Sequence, residues 1–200
     1  MKHIQEKTLV IIKPDGVQRT LIGEVIGRIE RVGFKLIALK FALPSKEKVA
    51  EHYTIDPEWV EKTGQKALEA DVRNGKDVTG IDALTHGGTI LHKLQNYMTS
   101  GPVVIMVWQG AHVVDVVRKL VGSTEPKTSD VGTIRGDFVH DSYEISNIEG
   151  RSVRNVLHAS SSTDDAEKEI KVWFAPEEII SYRLIAEEIL YDVNVDGNLE

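Results

Sequence analysis

Two short apolar runs, each followed by an amphipathic helix, narrow the fold of this chain more than any other feature. Thr8 to Ile12 is rich in β-branched residues and stops at Lys13-Pro14-Asp15-Gly16, which predicts a buried strand ending in a turn. Leu21, Ile22, Val25, Ile26, Ile29 and Val32 then recur at helical spacing, and Gly33 stands where a C-terminal cap belongs. Phe34 to Phe41 alternates as a second strand. The second run, Pro102 to Trp108, leads into a helix over Ala111 to Val121, with Val113, Val114, Val116, Val117 and Leu120 inward and Gly122 beyond its end. A polar loop from Ser123 to Arg135 follows, and Gly136 to Val139 reads as the start of another strand. Two β-α-β units in succession predict an α/β fold of the ferredoxin-like, split βαβ type, with a four-stranded antiparallel sheet and extra helices.

Ser45 begins a charge-rich helical stretch reaching Tyr53. Ser162, with Asp165 three residues on, signals a capped helix toward Trp173. Pro176 suits the first position of a last helix running through Ile189, Leu190 and Tyr191. Two stretches fit the β-α-β pattern badly. Residues 54–96 carry extra helical material (Pro57 to Ala70) and a glycine-rich turn at Gly87-Gly88, and residues 141–154 are polar and irregular. Neither is low-complexity, so both read as insertions on a single domain over residues 1–200, with a polar, frayed tail at 194–200.

Composition removes several chemistries. The 200 residues include no cysteine, which excludes disulfides, thiol nucleophiles and Cys-ligated zinc. No apolar run reaches the ~18 residues of a membrane helix, and the polar start lacks a signal peptide's apolar core. A cytoplasmic protein is expected. The net charge of −7 argues against bulk nucleic-acid binding, although a local cluster of cations still suits a small polyanion.

The chain has no G-x-x-x-x-G-K-[ST] and no G-x-G-x-x-G, so any nucleotide is bound without a P-loop or Rossmann turn. What remains is a set of polar residues at the ends of elements. Lys13 ends the first strand, Arg118 lies on the polar face of the 111–121 helix, Thr124 and Arg135 flank the long loop, and Asn155 and His158 sit in Arg154-Asn155-Val156-Leu157-His158-Ala159-Ser160. Cations with amide and hydroxyl donors suit a polyphosphate. Taken singly, each is also what a solvated charge or a half-buried histidine looks like.

Longer motifs change the reading. Thr8-Leu9-Val10-Ile11-Ile12-Lys13-Pro14-Asp15-Gly16-Val17-Gln18-Arg19, Ser100-Gly101-Pro102-Val103-Val104, Gly132-Thr133-Ile134-Arg135-Gly136-Asp137-Phe138 and Asn155-Val156-Leu157-His158-Ala159-Ser160 resemble, in order, the motifs of nucleoside diphosphate kinases. The resemblance spans about residues 7–192. It implies that His158 accepts the phosphoryl group, that Lys13 and Asn155 bind the ribose, and that Arg118, Thr124 and Arg135 bind the phosphates. It also implies that Tyr53 lies near the transferred phosphate and that Ser160 and Glu169 hold the histidine ring. The implied reaction moves the terminal phosphate of an NTP (ATP, GTP or another) to an NDP by a ping-pong cycle. Mg²⁺ would arrive held mainly by the nucleotide, and the implied assembly is a homo-oligomer, tetrameric or hexameric. The alternative is a catalytically weak regulatory protein of the same fold, which would normally show a substitution at His158, Lys13, Arg118 or Asn155. The aromatic that stacks on the base has no secure match; Trp59 and Tyr143 are candidates.

Overall fold

The computed structural model describes residues 6–73 and 75–192. Its centre is a four-stranded antiparallel sheet of β1 (Lys7–Ile12), β2 (Lys35–Ala42), β3 (Val103–Gln109) and β4 (Leu157–Ala159), in the order β2-β3-β1-β4. That order and the chain path make the fold ferredoxin-like. The apolar run of β1 is continuous rather than alternating because both faces of the strand are covered. Val10 and Ile12 point into one core with Val104, Met106 and Trp108, under α2 (Ile22–Glu30) and α6 (Val113–Val121). Leu9 and Ile11 point into the other with Ile105 and Val107, under Val49 of α3 (Lys46–Tyr53) and Ile170 and Trp173 of α9 (Thr163–Trp173). Each such side chain contributes about 1.5–3 kcal/mol on burial, so the central strand is a rigid base for whatever its ends carry. None of the described helices is long and apolar enough to cross a membrane.

Several elements differ from the sequence expectation. The stretch expected to open a strand at Gly136–Val139 falls largely within α7 (Ile134–Phe138), started by Thr133, whose hydroxyl accepts from the Gly136 amide at 3.0 Å. The fourth strand is β4 instead, too short for periodicity to reveal. The glycine-rich turn expected at Gly87-Gly88 lies inside a helix. Here α4 (Trp59–Arg73) and α5 (Ala83–Met98) form a hairpin whose backbones touch. A Cβ on Gly64 would come within 1.8 Å of the Ala83 carbonyl oxygen, and one on Gly87 within 1.9 Å of that of Val60. These two glycines serve close approach, not a turn. The 141–154 stretch is also more ordered than expected. It contains α8 (Tyr143–Ile148), capped by Ser142. Its base is closed by Asp141, which accepts from Arg151 Nη1 and Nη2 at 2.6 and 3.0 Å and from the Arg154 amide at 2.7 Å.

The last helix expected from Pro176 is a single 3₁₀ turn, Pro176–Glu178. The chain is then pulled out of helical geometry because the Ile180 amide donates to the Ile37 carbonyl, where β2 bulges against β3. A π-helical turn follows at Glu188–Asp192. The tail at 194–200 lies outside the described residues.

Candidate active site

β4 pairs with β1 so that His158 lies opposite Ile11, and α9 passes close enough for its Glu169 to reach the ring. The His158 side chain is 19% exposed, and its Nε2 lies 3.0 Å from Glu169 Oε1. The other carboxylate oxygen accepts the Ser160 hydroxyl at 2.6 Å, and Ser160 Oγ accepts the Leu9 amide at 3.0 Å. Burial pushes the Glu169 pKa up, but the neighbouring His158, its hydrogen bond, His52 and Ser160 outweigh that and hold it below the usual carboxylate value. A charged Glu169 accepts the Nε2 proton. This selects the tautomer with a lone pair on His158 Nδ1, which has no hydrogen-bond partner among the described residues.

His52, on α3, stands edge-on to His158 with ring centroids 4.6 Å apart. Burial, reinforced by His158, lowers its pKa to about 3, so it is neutral. Its Nδ1 accepts the Trp173 indole proton at 3.2 Å, which places its own proton on Nε2. The ring atoms of His52 and His158 and the Glu169 carboxylate offer three donor atoms within 4.8 Å of one another. They do not suit a hard divalent cation, which takes oxygen ligands. Nor can His52 ligate through Nε2 while Nδ1 accepts a proton from tryptophan, because a ligating imidazole donates through its other nitrogen.

Tyr53 follows His52, packed against its ring at 4.9 Å and that of Trp59 at 5.5 Å. Burial first, then the Glu169 carboxylate, raises its pKa and keeps the hydroxyl protonated.

The second half of the site stands at the end of β1. Lys13 is 5% exposed, donates to Asn155 Oδ1 at 2.7 Å and lies 5.2 Å over the Tyr97 ring. Burial and the Arg135 charge lower its pKa to about 7, against the opposing pull of Asp15. Asn155 donates through Nδ2 to the Thr124 carbonyl at 2.9 Å. Asp15 accepts the Tyr97 hydroxyl at 2.6 Å and the Val156 amide at 3.2 Å, and the Asn155 amide donates to the same Tyr97 oxygen at 3.3 Å. Val156 itself sits at φ +67, spanned by a Leu157 N–H to Asn155 carbonyl bond of 2.7 Å. A buried β-branched residue in that region stores about 1–3 kcal/mol.

Arg135 is buried and already committed. Nε donates to the Asn155 carbonyl, Nη1 to those of Gly122 and Ser123, and Nη2 to that of Leu157 at 2.7 Å. Burial lowers its pKa to about 10, so it stays charged. Arg118, on α6, is exposed and its side chain makes no hydrogen bond or ion pair among the described residues, yet its charge is felt by Arg135. Thr124 is exposed in the loop after α6. The residues singled out in the sequence therefore gather into a His158–Glu169–Ser160 group beside Tyr53, and a Lys13–Asn155–Arg135 group tied to the Thr124 backbone. Sequence reasoning passed over His52, Asp15 and Tyr97. Asp15 and Tyr97 lie within quoted motifs or beside them, and His52 precedes Tyr53, so adjacency was the signal available for each.

A ferredoxin-like sheet carrying a carboxylate-oriented histidine, with cations nearby and no P-loop, defines a phosphotransferase that works through a histidine. The model of the family described as nucleoside diphosphate kinase matches residues 6–63 and 83–179, leaving out most of α4 and its connection to α5. A nucleoside diphosphate kinase of Pyrobaculum aerophilum is 45% identical over 179 residues, covering 88% of this chain and 98% of the relative. Nucleoside diphosphate kinase A of Mus musculus is 40% identical over 187 residues, covering 94% and 97%. Among solved structures, an NDP kinase from Pyrobaculum aerophilum superposes with a TM-score of 0.84 at 44% identity, covering 88% of this chain and all of that one. A transition state mimic of nucleoside-diphosphate kinase from Borrelia burgdorferi, with bound vanadate and ADP, gives 0.76 at 37%, covering 93% and 96%. This chain belongs to the nucleoside diphosphate kinase family. It is a phosphotransferase that uses nucleoside di- and triphosphates and a divalent metal cofactor.

Proposed function

We propose that His158 carries the phosphoryl group between an NTP and an NDP. The observation that carries this reading is the Glu169 Oε1 contact to His158 Nε2, which leaves Nδ1 as the free nucleophilic atom. The Nδ1 lone pair attacks the terminal phosphorus, and the bond to the bridging oxygen breaks with its electrons leaving on the NDP. A terminal phosphate oxygen of a second NDP then attacks the phosphohistidine, and the N–P electrons return to Nδ1. Glu169 stabilises the positive charge that the ring acquires on phosphorylation, and Ser160 fixes the carboxylate. Arg118, free of protein partners, and Thr124 are the phosphate ligands. Arg135 holds the four carbonyls around the pocket and adds its charge. Lys13 and Asn155 present donors to the ribose, and Tyr53 offers a protonated hydroxyl beside the transferred group. Transfer of this kind asks a protein chiefly for positioning and charge neutralisation.

The cation is Mg²⁺, brought on the nucleotide's own phosphates, since the only three-donor group found among the described residues is unsuited to it. The vanadate and ADP named for the Borrelia relative support the phosphoryl-transfer reading. We read residues 1–200 as one cytoplasmic domain that assembles as a tetramer or hexamer. In support, β2 is an edge strand whose first half is covered by the 180–182 segment, while its far end leaves Phe41 exposed at 63% and Leu43 just beyond it at 71%, and an open apolar end of an edge strand favours contact with another copy. The test is labelling with γ-labelled ATP: an acid-labile phosphoenzyme is expected in the native protein and none in His158→Ala. A label that persists in that variant removes His158 from the reaction.

A further inference from the structure

A cavity of about 420 Å³ lies between the last turns of α5, the α1 turn (Pro14–Gln18) and the 150–154 stretch. None of His158, Lys13, Arg118, Arg135 or Asn155 lines it. Asp15, Lys93, Asn96, Tyr97, Arg151 and Arg154 do. Both segments expected to be insertions therefore contribute walls. The size falls within the 300–1,000 Å³ typical of small-ligand sites.

The charges of the wall are unevenly satisfied. Arg151 is neutralised by Asp141 and by Glu149. Both Asp15 oxygens are occupied, by the Tyr97 hydroxyl and the Val156 amide. The half-buried Lys93 and the exposed Arg154 have no hydrogen bond or ion pair to their side chains among the described residues. Two cations without a carboxylate partner among the described residues thus face this one cavity. Asn96 adds an amide whose only bond is a long one, 3.4 Å, to His92.

We propose that this cavity is a second anion site, in which Lys93 and Arg154 take a phosphate-class oxyanion: inorganic pyrophosphate or the 5′-phosphate of a nucleoside monophosphate. The Arg154 fork matches two phosphate oxygens and Lys93 supplies a point charge. A multiply charged anion suits two cations and overcomes the repulsion of the neighbouring Asp15 carboxylate. Arg154 directly precedes Asn155, and Tyr97 holds both Asp15 and the Asn155 amide, so an occupant braces the back of the nucleotide site through one peptide and one phenol.

The experiment is calorimetric titration of inorganic pyrophosphate, and separately of adenosine 5′-monophosphate, into the full-length protein. Arg118→Ala weakens the site at His158 and leaves the cavity intact. Adding Lys93→Gln and Arg154→Gln to that background removes the cavity's cations while keeping their stems. Binding retained in Arg118→Ala and weakened about a hundredfold in the triple variant is expected, since two charge-assisted bonds are lost. The tighter of the two probes identifies the source of the phosphate. Absence of binding of either probe to Arg118→Ala, or equal binding to the triple variant, overturns the site. Lys93→Gln/Arg154→Gln alone should still transfer phosphate. The label test on His158 does not enter this measurement, so the two readings fail separately. Lys93→Ala/Arg154→Ala provides a second check that the effect follows the charges.

Discussion

Lys13→Met tests the site's electrostatics through stability. Methionine keeps the buried volume and removes the charge. In the folded protein the Lys13 pKa falls from an ordinary 10.5 to about 7, chiefly through burial and then through Arg135. Between those values the unfolded chain holds a proton that the native site sheds, so wild-type stability rises with pH across that window. Below pH 7 both states are protonated, and the full penalty of burying the charge is present. The penalty is roughly 5 kcal/mol at about 1.4 kcal/mol per pH unit. Lys13→Met has no such term. It also strands Asn155 Oδ1, which loses its 2.7 Å donor, at a cost of about 1–3 kcal/mol that does not vary with pH. The signature is therefore a slope. The stability of wild type relative to Lys13→Met should climb by about 3 kcal/mol between pH 6 and pH 9. Urea unfolding of both proteins at one protomer concentration measures it, because assembly would otherwise shift the midpoint. A second readout follows from the same charge. At about pH 8 the lysine is mostly neutral, and a bound diphosphate restores its proton, so nucleotide binding should take up close to one proton. Parallel stability curves at all pH values, with no proton uptake, would refute the buried-charge reasoning.

Glu169→Gln keeps the shape but removes the carboxylate that accepts from both His158 and Ser160, and phosphoenzyme formation should slow by roughly ten- to a hundredfold in rapid-quench labelling. Arg118→Ala should weaken NDP and NTP binding, seen as a raised KM, while moving the unfolding midpoint by less than about 0.5 kcal/mol, because the residue is exposed and unpaired. Gly64→Ala should destabilise the protein by about 3 kcal/mol or more as the α4–α5 contact is forced apart. Gly88→Ala, with open space around it, should stabilise it by about 0.5–1 kcal/mol through helix propensity. Thermal unfolding separates the two glycines.

Long apolar patterns were legible in the sequence, and short or tertiary-determined elements were not. β1, β3, α2 and α6 announce themselves through runs and spacing, and α9 through its Ser162 cap. β4 has three residues and no pattern of its own; it exists because β1 offers an open edge. Gly87 looks like a turn residue until a second helix arrives for it to touch. Pro176 begins only one turn because a β2 carbonyl at Ile37 claims the Ile180 amide. The same division runs through the site. Lys13, Asn155, His158, Ser160 and Glu169 stand in long motifs. Tyr97 and Asp15, 82 positions apart, work only because the fold makes them neighbours, and no local spacing encodes that meeting.

The carboxylate of Asp141 makes the stretch beyond it a graft point. Its bonds to Arg151 and to the Arg154 amide close the loop at its base, with Glu149 and the Ser146 carbonyl adding to the hold on Arg151 from inside. Doubling the length of such a loop costs only about 0.6 kcal/mol of closure entropy. Residues 142–150 can thus lengthen while Asn155 and His158 keep their places. Arg135 seals the other side by holding the carbonyls of Gly122 and Ser123 against those of Asn155 and Leu157. The chemistry is insulated from the part of the chain where novelty is cheapest to try.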